Sequence, residues 1–118
     1  MKMPNVFDGS VPGESFAAGS TIFAEGDPGL LMYIIKEGEV ELHVHGKVVD
    51  TLGPEEFFGE MALIEGSTRS ATAVAKTDCK LEPINEKQFL FMVQETPFFS
   101  LRIMKTMSSR LRRIDRLI

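Results

Sequence analysis

At about residue 85 the hydrophobic period of this chain changes, and that switch limits the folds open to it. Before it, short apolar stretches are separated by Gly and Pro turns. Val40, Leu42 and Val44 alternate with Glu39, Glu41, His43 and His45, the period of a half-buried strand. Leu30-Leu31-Met32-Tyr33-Ile34-Ile35 is a continuous apolar run of strand length and reads as a buried strand. Thr21-Ile22-Phe23, Val48 to Leu52, Ser70 to Ala75 and Cys79 to Ile84 supply further strands. Glu25-Gly26-Asp27-Pro28-Gly29, Glu37-Gly38 and Gly53-Pro54-Glu55-Glu56 turn the chain, and His45-Gly46-Lys47 reads as a hairpin tip. Many short strands at this spacing predict an antiparallel sandwich or barrel.

After the switch the signals are helical. Asn85 with Gln88 three residues later forms a capping-box pattern, predicting a helix through Phe89, Leu90, Met92 and Val93 to near Glu95. Thr96-Pro97 is a second start, with Thr at the cap and Pro at the first helical position. No breaker follows before Ile118, so a helix of about five or six turns is expected. Met104, Met107, Leu111, Ile114 and Ile118 are spaced 3, 4, 3, 4, the seam of a short coiled coil, and Ile103 and Leu117 widen the apolar face. Such a face suits either the body of its own domain or a second copy.

Composition excludes several classes. At 118 residues, 43% hydrophobic and 25% charged, the chain reads as one domain with a single core. No apolar run approaches the ~18 residues that span a bilayer. The N-terminal Met1-Lys2-Met3-Pro4-Asn5 lacks a signal-peptide core. Cys79 stands alone, so it makes no internal disulfide and reads as a packed or surface thiol; a cytoplasmic location is expected. The net charge of −4 is uneven: Pro97 to Ile118 carries six bases and one acid, +5, leaving −9 on the residues before it. That tail reads as a solvated helix face near an acidic body. No aromatic residues interleave with its bases, and the body would repel a polyanion.

One stretch carries chemistry: Phe58-Gly59-Glu60-Met61-Ala62-Leu63, followed by Arg69-Ser70-Ala71. Gly59 lets the backbone approach a ligand closely before a short helical turn. The first N–H groups of such a turn lack intrahelical partners and form a seat for an anion. Arg69 adds a forked, charge-assisted grip on a phosphate. Glu60 would repel that phosphate but suits a sugar hydroxyl, which donates to it. A ribose hydroxyl beside a singly charged phosphate satisfies all these groups.

This stretch, with Thr72-Ala73-Val74 after it, resembles the phosphate-binding cassette of the cyclic-nucleotide-binding domain family, including its glutamate-to-arginine spacing. Ala18 to Pro28 and Tyr33 to Val40 are similar to the family's opening strands, so the resemblance runs from about Ser15 to Ile118. It implies a mainly β fold with C-terminal helices: an antiparallel eight-stranded jelly roll over 15–84 with the cassette at 58–71. A hinge helix and a long C-terminal helix would follow over 85–118, all within one domain, 1–118. The N-terminal helix of many members would be abbreviated here, because Pro4 to Gly19 is short and rich in Gly and Pro.

The function implied is a non-enzymatic sensor of cAMP or cGMP, without metal or other cofactor. Its ligand would be held by Phe58, Gly59, Glu60, Met61, Ala62, Leu63, Arg69, Ser70 and Ala71, and would move the helices from Asn85 onward. Ser70 does not choose between adenine and guanine. The Thr-Ser pair that contacts adenine in the family's bacterial activators falls at Ile114-Asp115, which does not match; Asp115 reads as solvated between Arg112 and Arg116. The resemblance also implies a homodimer through the 97–118 helix. A downstream protein or an effector domain would carry the output. The activators place a DNA-binding segment after the long helix, and the sequence stops at Ile118, so direct DNA binding is not expected of it.

Two rivals remain. A protein-interaction module of the same fold would use the C-terminal helix and bind no nucleotide. A metal-dependent cupin enzyme shares the jelly roll, and His43-Val44-His45 has a metal-binding spacing. The following Gly46-Lys47-Val48-Val49 brings no carboxylate, however, and the chain holds no third histidine.

Overall fold

The computed structural model describes residues 13–117, with side chains as far as residue 112. Eight strands come in chain order: β1 (Glu14–Phe16), β2 (Thr21–Phe23), β3 (Leu31–Glu37), β4 (Val40–Val44), β5 (Lys47–Leu52), β6 (Phe57–Phe58), β7 (Thr72–Ala75) and β8 (Cys79–Asn85). Helix α1 (Glu60–Glu65) interrupts them between β6 and β7, and α2 (Glu86–Glu95) and α3 (Pro97–Leu117) close the chain. The strands form two antiparallel four-stranded sheets, ordered β1-β8-β3-β6 and β2-β7-β4-β5. Sequence punctuation alone does not reveal β1 or β6, which are three and two residues long. The expected abbreviated N-terminal helix lies mostly outside the described residues; where description begins, the chain enters β1.

Two apolar cores explain the continuous run in β3. Its side chains alternate faces. Tyr33 and Ile35 enter the core between the sheets with Val40, Leu52, Phe58 and Leu81. Met32 and Ile34 face the other way, toward Phe57, Leu63, Ile84, Met92, Phe99 and Ile103, where the helices cover the first sheet. A strand buried on both faces has no polar side to write into its sequence. Phe57 and Phe58, adjacent in β6, divide between the two cores in the same way.

The turns follow the residues that permit them. His45 and Gly46 have φ of 51° and 79°, left-handed values that suit the tight hairpin joining β4 to β5. The helix starts hold one confirmation and one difference. Asn85 and Gln88 make both halves of the capping box, with Gln88 N–H donating to Asn85 Oδ1 at 2.8 Å and Asn85 N–H to Gln88 Oε1 at 2.9 Å. Thr96 ends α2 instead of capping α3 with its hydroxyl, which donates backward to the Met92 carbonyl at 2.6 Å.

Helix α3 docks through one stripe. Phe99 and Ile103 are buried and Met107 packs beside them, with Phe99 meeting Phe89 of α2 edge-on at 5.7 Å. Met104 and Leu111 are exposed, as are Phe98 and Leu101. The expected seam therefore divides: Ile103 and Met107 belong to the core, Met104 is exposed, and Leu111 is exposed beside the cavity described below. The side chains of Ile114, Leu117 and Ile118 lie outside the described residues.

Candidate functional site

Gly59 breaks the chain between β6 and α1 with a φ of 82°, a conformation costly for any residue with a Cβ. A Cβ there would also stand 2.8 Å from Arg69 Nη1. Gly29 serves a different need, since a Cβ at that position would overlap the Ala62 side chain. Two glycines thus let α1 sit tight against the β2–β3 loop and against the Arg69 guanidinium.

Arg69 is held from every side. Its backbone N–H donates to Asp27 O at 2.8 Å, and its carbonyl accepts from Gly26 N–H at 2.9 Å. Its side chain is almost wholly buried: Nη1 donates to Gly59 O at 2.9 Å and Nη2 to Leu31 O at 2.5 Å. The guanidinium lies over the Phe23 ring, 3.9 Å from its centroid, and Phe23 packs on Tyr33 and Phe58. Burial pushes its pKa down from the ordinary value, while Tyr33, Asp27 and Glu60 push it back up. An arginine stays cationic under such pressure.

Glu60 opens α1 and is fully buried. One oxygen, Oε1, accepts from Arg110 Nη1 of α3. Arg110 Nη2 also donates to Phe57 O at 2.8 Å, and Arg102, two turns earlier, donates to Glu55 O at 3.2 Å. Two arginines of α3 therefore grip the segment that leads into the cassette. Arg110 continues the stripe of Phe99, Ile103 and Met107, so packing of that stripe aims it at Glu60.

Between these elements lies a cavity of about 450 Å³, within the ordinary range for small-molecule sites. Gly59, Glu60, Met61 and Ala62 line it from the cassette, with Arg69, Ser70 and Ala71 beyond the loop. Two of the sequence-predicted residues sit elsewhere: Phe58 is in the inter-sheet core and Leu63 in the core under the helices. Sequence reasoning missed Phe23, Leu42, Val44, Val49 and Asp50, which form the strand walls, and Arg110 and Leu111, which come from α3. The alternation of Leu42 and Val44 was the available signal for the walls. For Arg110 there was no local signal, since it is one of six bases in a tail that reads as solvated.

Two buried polar atoms of this cavity's lining residues have no hydrogen-bond partner among the described residues: Glu60 Oε2 and Arg69 Nε. One is an acceptor and the other a donor. Leaving such groups unmade is expensive, so the pair fits a ligand that offers a hydroxyl to one and an anionic oxygen to the other. The two histidines do not converge on a metal: His43 lies 3.3 Å from Glu41 and His45 lies 3.9 Å from Glu25. Among the described residues no group of three His, Cys, Asp or Glu is placed to hold one. Among the described residues no helix is long and apolar enough to cross a membrane.

Comparison with known proteins agrees with this geometry. The chain is 33% identical over 105 residues to the cyclic AMP receptor protein of Thermus thermophilus, a match covering 85% of this chain and 49% of that protein. It thus spans about half the length of this curated relative. The crystal structure of Thermus thermophilus catabolite activator protein superposes with a TM-score of 0.77 at 32% identity, over 86% of this chain and 50% of that one. The cAMP-bound form of the EAL enzyme Bd1971 gives a TM-score of 0.66 at 33% identity, over 87% of this chain and 29% of that one. At 24% identity, cAMP-bound PfPKA-R shares the fold, with a TM-score of 0.79 over 89% of this chain and 36% of that one. The family described as the cyclic nucleotide-binding domain matches residues 13–96, from β1 through the end of α2. Because that family's model matches most of its length, the chain belongs to the cyclic nucleotide-binding domain family.

Proposed function

We propose that this domain is a non-enzymatic sensor that binds a cyclic nucleotide in the cavity between the cassette and α3. The observation that carries this reading is the pair of unpartnered buried atoms, Glu60 Oε2 and Arg69 Nε, among the residues lining one cavity. A ribose hydroxyl donates to the first and a phosphate oxygen accepts from the second. A cyclic phosphodiester carries one negative charge, matching the single guanidinium of Arg69. Gly59, Met61, Ala62, Ser70 and Ala71 shape the space around the sugar-phosphate, while Phe58 and Leu63 support it from the cores.

The switch follows from Glu60. Its Oε1 is engaged by Arg110 of α3 and its Oε2 is open to the ligand, so one carboxylate meets both. Ligand that stiffens the cassette favours the docked arrangement of α3, provided it binds that arrangement more tightly than others. The output passes through α3 to a partner protein or to an effector domain, and the working compartment is the cytoplasm.

A second copy of the chain is the partner that the outer face of α3 favours. Phe98, Leu101 and Met104 expose apolar surface along it, from 44% to 66% each. A thermal-shift panel of cAMP, cGMP, cyclic dinucleotides, AMP and GMP tests the nucleotide reading. Cyclic mononucleotides are expected to raise the melting temperature and the linear ones are not. An unmoved melting temperature throughout would leave the interaction-module reading in its place.

A further inference from the structure

We infer that the β5–β6 turn is a strained latch: Arg102 of α3 holds Glu55 in a backbone conformation that belongs to glycine, and undocking of α3 lets the turn relax. This device goes beyond the sensor reading and works without nucleotide. Glu55 has a φ of 72°, a left-handed value costly for a residue with a Cβ. Glu56 N–H donates to Gly53 O at 3.2 Å, which closes a β-turn over Gly53-Pro54-Glu55-Glu56. Pro54 fixes a negative φ at the second position, so a positive φ at the third makes the turn type II, whose third position favours glycine. The same residue opens a bulge. Glu55 N–H donates to Ile35 O at 2.8 Å and Ile35 N–H to Glu56 O at 2.9 Å, so Glu55 and Glu56 together oppose Ile35. In that bulge too the left-handed residue is ordinarily glycine. Glutamate therefore stands where a turn and a bulge both ask for glycine.

Such a conformation persists where its surroundings over-determine it. Gly53 N–H donates to Glu56 Oε1 at 3.1 Å, and the bonds to Ile35 tie the turn to β3. A further hold comes from α3, where Arg102 Nη2 donates to the Glu55 carbonyl at 3.2 Å. The turn joins β5, whose Val49 lines the cavity, to β6, which leads through Phe57 and Phe58 into Gly59 and the cassette. Arg110 grips Phe57 O and Glu60 in the same stretch, so the whole entry to the cassette answers to α3. A relaxed state lies close by. Rotating the Pro54–Glu55 peptide gives a type I turn, in which Pro54 keeps its φ and Glu55 takes a negative one. That rotation breaks the bond from Glu55 N–H to Ile35 O and leaves Ile35 N–H on Glu56 O. The turn thus has two arrangements, one with the strain and the extra hydrogen bond, the other with neither. Arg102 biases the choice to the extent that it meets the Glu55 carbonyl better in the strained one.

The test is amide hydrogen exchange by NMR on the ligand-free full chain, read as protection factors at Glu55 and Ile35. Arg102→Met should lower protection at Glu55 by about tenfold, the worth of one hydrogen bond to a charged group, and leave Ile35 unchanged. Adding Glu55→Gly to Arg102→Met should restore protection at position 55, because glycine holds the left-handed turn without help. Glu55→Gly alone should raise the urea midpoint, whereas Glu55→Ala, which keeps a Cβ, should not. Equal protection at Glu55 in wild type and Arg102→Met overturns the latch. Joint loss at Glu55 and Ile35 also overturns it, since that reports the whole turn detaching and not one peptide rotating. A midpoint lowered by Glu55→Gly would show that no strain is held there and would overturn it as well. None of these readouts uses a nucleotide, so the sensor reading and the latch stand or fall separately.

Discussion

Arg110 on α3 donates to the buried carboxylate of Glu60 at the head of α1, fifty residues earlier in the chain. This contact ties α3 to the cassette that would hold the ligand. Its removal leaves a buried acid without its cation, a larger loss than the pair itself contributes. Arg110→Ala should therefore destabilise the domain by about 2–4 kcal/mol in urea unfolding, and the double variant Glu60→Gln with Arg110→Met should recover much of it. Equal stability of Arg110→Ala and wild type would show that the contact is not held in solution.

Arg69 is the group whose loss should silence the site. Arg69→Ala removes the cation proposed to meet phosphate and should weaken cyclic-nucleotide binding by about one to three orders of magnitude in titration calorimetry. Arg69→Lys should recover little. A point charge cannot reproduce the fork that spans Gly59 O and Leu31 O. Full affinity in Arg69→Ala would place the ligand elsewhere.

Gly59 is needed for its backbone and for the space it leaves. Gly59→Ala should cost about 1–3 kcal/mol through the strained φ alone. It should also weaken ligand binding, because the new methyl presses on Arg69 Nη1. Denaturant midpoints and affinities measured together distinguish this from Gly46→Ala, whose Cβ meets nothing within 4 Å and should affect stability alone.

The proposed dimer is best tested at Met104, which is 60% exposed on α3. Met104→Glu should shift sedimentation from dimer to monomer with an unchanged melting temperature measured at low concentration. Met107→Glu is a poor probe, because Met107 packs against the core under the helices. A wild-type chain that sediments as a monomer at high concentration would remove the homodimer.

Alkaline pH should weaken the fold through Cys79 and Tyr33. Burial pushes both groups up, with Glu14 adding to the effect on Tyr33 while Arg69 opposes it, and hydrogen bonds to Thr77 opposing it at Cys79. The unfolded chain then releases these protons at lower pH than the native one. The associated stability is complete below the unfolded values, roughly 8.5 for Cys and 10 for Tyr, and is lost as pH rises through the folded ones. Urea midpoints should fall from about pH 8.5 upward, and Cys79→Ala should delay the onset. The native thiol should also react slowly with disulfide reagents until the protein unfolds.

Local chemistry explains what could be read early. The capping box at Asn85 and Gln88, the hairpin at His45-Gly46 and the glycine before Glu60 depend on neighbours within a few residues. Their geometry follows from side chains that any window of the sequence contains. The charge pair of the cassette was legible for the same reason, since Glu60 and Arg69 are separated by one short loop. Arg110 was not. As one base in a basic tail it looked solvated, and only the packing of Phe99, Ile103 and Met107 turns it inward.

The sequence by itself determined the strand-then-helix order, the turns, and the glycine, acid and arginine on which the ribose-phosphate proposal rests. Each of these rests on backbone preference and side-chain chemistry over short range. Tertiary structure alone decided which way the two cores divide β3, that Phe58 and Leu63 support the cavity while Asp50 and Leu42 wall it, and that α3 reaches Glu60. These depend on contacts tens of residues apart, where burial and sheet register choose among faces that the local pattern leaves equivalent.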